Sequence, residues 1–161
     1  MLRNLILSIV LAGLGSMVVP ETAHADATLG LHLGVNFDVD DPLLGAESRI
    51  DLTKLGGVAS LQIAPSFSYY FTDNIDLWNL ALAFPFEFKV HGTMLRPYVG
   101  PGLAIVFWEF GAADDTDLMF VIEGGLSFAL PVVVPYVGFR ALLGGDRDGA
   151  ELLFGVLFRL G

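Results

Sequence analysis

Cysteine is absent from the 161-residue sequence, so neither a disulfide framework nor a thiolate metal site is open to it. Positive charge is scarce: 8 Lys and Arg stand against 18 Asp and Glu, a formal net charge of -10. Recognition of a phosphate backbone demands clustered Lys and Arg, so no nucleic-acid partner is expected. Long apolar runs are missing beyond residue 25. The longest candidate, Leu126 to Phe139, is broken by Pro131, Pro135 and Gly138, which excludes a spanning helix of roughly 20 apolar residues. Apolar side chains are nevertheless abundant, at 54% of residues. Such a content belongs to a membrane protein or to an aggregating soluble one, and the length suggests one domain.

The N-terminal segment stands apart. Arg3 precedes an apolar run from Leu5 to Val19, and Ala23-His24-Ala25 forms an A-x-A cleavage pattern. Together they predict a secretory signal peptide over residues 1–25, the run being too short for a spanning helix. Export removes Arg3 and Glu21 together, so the domain at 26–161 keeps the net charge of -10.

The remainder alternates with period two, the signature of strands with one face unlike the other. From Trp78 to His91, bulky Trp78, Leu80, Leu82, Phe84, Phe86, Phe88 and Val90 interleave with Asn79, Ala81, Ala83, Pro85, Glu87, Lys89 and His91. The same pattern runs through Leu29 to Asp38, Ala59 to Phe71, Leu95 to Phe107, Leu118 to Phe128, Val133 to Ala141 and Glu151 to Leu160, with a weaker segment near Ser48 to Leu55. Eight strands result.

The polar face is mostly Gly, Ala and Ser with scattered charges of both signs, whereas a soluble surface carries many more Lys and Glu. The bulky face suits lipid and the small face suits the inside of a narrow barrel, so the fold reads inside out. Connections support this. Short ones fall at Gly56-Gly57, His91 to Thr93 and Pro131, and acidic ones at Asp40 to Glu47, Thr72 to Asp76, Gly111 to Asp117 and Gly144 to Gly149. Alternation along eight antiparallel strands gathers the acidic loops at one end. Aromatic girdles are expected at both interfaces: Phe37, Tyr69, Phe71, Trp78 and Phe107 toward the acidic end, Phe86, Phe88, Phe128 and Phe158 toward the other. The expected fold is an all-β, eight-stranded, antiparallel, up-and-down transmembrane barrel. A soluble periplasmic barrel with its bulky face inward is the competing architecture.

On "LRPYVGPGLAIVFW" from Leu95, "YYFTDNIDLWNL" from Tyr69 and the closing "FGVLFRLG", the chain resembles the small outer-membrane β-barrel proteins of the OmpA/OmpX-like, porin-family type. The resemblance covers essentially all of 26–161. It implies residence in the outer membrane of a Gram-negative-type bacterium after export by the general secretory route. It also implies contact with membrane lipids and lipopolysaccharide, and handling by periplasmic chaperones and the barrel-insertion machinery. Gly155, Phe158 and Leu160 resemble the insertion signal of such proteins, although the chain continues to Gly161 where the family commonly ends on an aromatic.

Eight strands enclose a lumen that side chains just about fill. The inward charges expected from alternation are Asp38, Asp51, Glu87, Glu123 and Glu151 against Arg49, Lys89, Arg96, Arg140 and Arg159, with Tyr98 and Tyr136 among them. Buried charges persist when paired, so a structural network closing the bore is expected. The alternative is a niche or narrow conduit for small or hydrophobic molecules. Catalysis is not expected: beyond the signal segment the His residues are His32, on the inward face, and His91, at a short turn, and no His-x-Ser pattern accompanies either. No cofactor is expected. Asp114, Asp115 and Asp117 are the tightest oxygen cluster for a hard cation, but acidic loops are more often solvated, and no firm metal site follows.

Overall fold

The computed structural model describes residues 26–73, 75–110, 113–144 and 148–160. The segment 1–25 expected to be a signal peptide lies outside them. The described strands are β1 (Ala27–Asn36), β2 (Asp41–Leu55), β3 (Ala59–Tyr70), β4 (Asp76–Ala83), β5 (Phe86–Phe88), β6 (Leu95–Phe110), β7 (Ala113–Phe128), β8 (Val133–Leu143) and β9 (Gly149–Leu160). No helix occurs among the described residues.

β4 and β5 are two parts of one stave. Ala83 lies opposite Ala64 and Gly102, and Phe86 lies opposite Leu61 and Val99, so the intervening Phe84 and Pro85 keep register with both neighbours. Gln62 N donates to Pro85 O at 2.9 Å and Phe84 N to Pro101 O at 2.8 Å. The ladder is interrupted because Pro85 and Pro101 have no N–H to return. Each stave pairs antiparallel with the next, and β1 pairs with β9 from Ala27 opposite Leu160 to Asn36 opposite Glu151. The sheet is a closed barrel of eight staves, which leaves no unpaired edge.

Alternation assigns the faces. Leu31 is 63% exposed, Leu118 65% and Phe154 56%, whereas Arg140 and Glu47 are 1% exposed. The bulky face is therefore outward, and the inward-facing soluble architecture is excluded. Acidic connections gather at one end, the acidic end. Asp26, Leu160 and the β2–β3, β5–β6 and β7–β8 turns gather at the other, the short-turn end. The β2–β3 turn is tight because Gly56 (φ 59°) and Gly57 (φ 74°) adopt a left-handed backbone that side chains disfavour.

Two boundaries differ from the sequence expectation. β2 begins at Asp41 rather than near Ser48, and β7 begins at Ala113 and pairs alongside β6. In β2 the inward face carries Leu43 and Gly45 and the outward face Leu44 and Ala46. Both faces mix bulky with small residues there, so the contrast that marks a strand is lost. The acidic connections are consequently shorter and the wall longer.

Candidate functional site in the barrel interior

Three strands place a row of charges across the wall. Arg140 on β8 lies directly opposite Glu123 on β7 and Glu151 on β9. Its Nη2 donates to Glu123 at 3.2 Å and to Ser66 Oγ at 3.2 Å, while Nη1 lies 3.7 Å from Glu151. Glu47 reaches the same guanidinium from β2, at 3.9 Å. All four charged groups are buried, a setting in which charge persists only when matched and hydrogen-bonded.

Glu47 ties this row to a second one. Arg49 Nε donates to it at 2.5 Å and the Tyr136 hydroxyl at 3.2 Å. The Arg49 guanidinium lies over the rings of Tyr98 and Tyr136, 4.1 and 4.7 Å from their centroids, so a cation is enclosed between two aromatic faces. Room for these rings comes from glycines on their own and neighbouring strands, Gly155 lying directly opposite Tyr136. A Cβ on Gly155 would lie 2.3 Å from the Tyr136 ring, and one on Gly138 2.5 Å from the Tyr98 hydroxyl.

Nearer the acidic end, the Tyr70 hydroxyl donates to Glu151 and accepts from Asn79. His32 Nε2 is 3.1 Å from Ser68 Oγ, both buried. Above them Leu43, Leu77, Val106, Met119 and Leu142 form an apolar layer against which Val39, Ile75 and Trp108 pack. A cavity of about 20 Å³ remains there.

At the short-turn end the interior is polar. Arg96 donates to Glu87 at 3.1 Å, as does Ser127, and Gln62 donates to Asp51 at 2.8 Å. Arg159 donates to the Leu130 carbonyl at 3.3 Å. A cavity of about 40 Å³ is bordered by Asp51, Gln62, Glu87, Arg96 and Arg159 together with the apolar Val134 and Leu157, room for a few waters at most.

The inward set thus departs from the sequence expectation at three places. Asp38 is exposed in the turn after β1, and its N–H donates to Asn36 Oδ1 at 2.9 Å. Lys89 is exposed one residue past β5. Alternation assigns both inward, but the wall stops at Asn36 and Phe88, and with it the distinction between faces. Glu47, expected in a loop, is instead central. Its signal was its place two residues before Arg49, on the same face of a strand.

Among the outward aromatics, Trp78 stacks on Phe107 at 3.9 Å, Tyr69 meets Phe71 edge to face at 5.4 Å, and the Tyr69 hydroxyl donates to Asp76 at 2.9 Å. Phe37 is exposed at the same end, and Phe86, Phe88, Phe128 and Phe158 are exposed toward the short-turn end. Gly155 faces Tyr136, while Phe158 and Leu160 face outward. The Asp114 side chain lies outside the described residues. Asp115 accepts from its neighbour Thr116 N at 2.9 Å, and no group of three potential metal ligands occurs among the described residues.

No family model matches the sequence, and no curated protein matches it. Solved structures do. The N-terminal β-barrel domain of Pseudomonas aeruginosa OprF superposes with a TM-score of 0.63 at 19% identity, covering 85% of this chain and 100% of that one. The fold is that of the small outer-membrane β-barrels. Neisserial surface protein A gives 0.53 at 14% identity over 84% of this chain and 96% of its own. The outer membrane enzyme PagL gives 0.60 at 10% identity over 83% and 98%. At these identities the likeness is one of fold.

Proposed function

We propose that the chain is an integral outer-membrane barrel with a structural or surface-interaction role, its bore closed by paired charges. The observation that carries this reading is the inversion of faces. Large apolar side chains are exposed around the wall while Glu47, Arg49, Glu123, Arg140 and Glu151 are enclosed, an arrangement that requires lipid outside. Closure is supported by the contacts of Arg140 and Arg49 across the bore and by cavities of only about 40 and 20 Å³ toward its two ends. The proposal includes export with cleavage after Ala25, assembly through Gly155, Phe158 and Leu160, and contact with lipids and lipopolysaccharide. It includes no reaction, because His32 and Ser68 are sealed inside and a reacting pair must reach its substrate.

Planar-bilayer recording of the purified protein tests closure. No stable conductance step is expected, and a persistent large conductance overturns it.

A further inference from the structure

The short-turn end carries a second concave feature, at the rim of the bore, with Arg96 lining both. A cavity of about 230 Å³ is lined by Lys89, Val90, His91, Thr93, Leu95 and Arg96, with a glycine of the β2–β3 turn completing it. The turn that forms it is fixed: Lys89 N donates to Val58 O at 2.8 Å, Thr93 Oγ1 to Val90 O at 3.1 Å, and Leu95 N to Thr93 Oγ1 at 3.2 Å. Every charged side chain of the lining is basic. Lys89 and His91 have no side-chain partner among the described residues, and Arg96 commits Nη1 alone, to Glu87. Beside the cavity, exposed Phe86, Phe88 and Val90 continue the apolar outer wall.

Unpaired donors and positive charge in a concavity that adjoins a greasy wall match an anionic amphiphile. We propose that this pocket holds the phosphate of an anionic phospholipid in the leaflet at the short-turn end, with Lys89 and Arg96 supplying charge, His91 a ring N–H, and Val90 and Phe88 the acyl-chain contact. This inference rests on the membrane reading above.

The test uses the full chain reconstituted in nanodiscs of equal phosphatidylglycerol and phosphatidylcholine, with native mass spectrometry of the lipid retained on release. Preferential retention of phosphatidylglycerol is expected, and Lys89→Gln with His91→Gln should reduce the preference about five-fold, the factor that one basic side chain contributes at an anionic surface. Both side chains are exposed and unpaired, so the barrel should persist, as heat-modifiable mobility on a gel reports. Equal retention of the two lipids by the unaltered protein, or an unchanged preference in the variant, overturns the proposal. So does displacement of the lipid by millimolar inorganic phosphate, which would assign the pocket to free phosphate. Failure of the chain to enter the discs overturns the membrane reading itself.

Discussion

Above and below Arg140 the same alternation fills the bore with different material. Toward the acidic end the inward positions are chiefly apolar, with Leu43, Leu77, Val106, Met119 and Leu142, and toward the short-turn end chiefly polar, with Gln62, Glu87, Arg96, Ser127 and Arg159 beside buried Val134 and Leu157. An apolar layer excludes water by dispersion and burial, whereas the polar layer tolerates it and spends its charges on one another. The protein therefore seals one end of its interior and leaves the other wettable, with the buried Arg140 row at the border.

Substitution is expected to cost most at that border. Arg140→Leu leaves Glu47, Glu123 and Glu151 without their shared cation, and a loss of about 3–5 kcal/mol is expected from uncompensated buried charge, measured by urea unfolding in micelles through Trp78 and Trp108 fluorescence. In the sealed half, Leu142→Ala should cost about 2–3 kcal/mol by transfer and cavity terms in the same titration. In the wettable half, Arg159→Gln should change stability within about 0.5 kcal/mol, because the side chain is partly exposed and gives one bond to a carbonyl. Equal costs at Leu142 and Arg159 would erase the distinction between the halves.

Much of the barrel was legible because period two is strong where one face is uniformly bulky, as from Trp78 to Val90. Pro85 did not disturb that reading, since a proline removes one donor without shifting register. Legibility failed where the faces mix. Leu43 belongs to the apolar layer and points inward, so Leu43 and Leu44 conceal the start of β2, and with it the place of Glu47. Alternation also says nothing about where a wall ends, which is why it places Asp38 and Lys89 inward although both are exposed past the strand ends. Partners across the bore are a property of closure. That Arg49 lies between Tyr98 and Tyr136 depends on curvature that local sequence does not encode.

The seam between β1 and β9 has a kinetic consequence. It joins the first and last strands of the domain, and the interior bonds that accompany it, Tyr136 to Glu47 and Tyr70 to Glu151, connect residues 89 and 81 apart in the chain. Loop-closure entropy must be met before any of these contacts repays it. Until the seam zips, Glu47 lacks its tyrosine and both terminal strands present open edges. The half-built sheet thus carries two open edges and partners that only closure can satisfy.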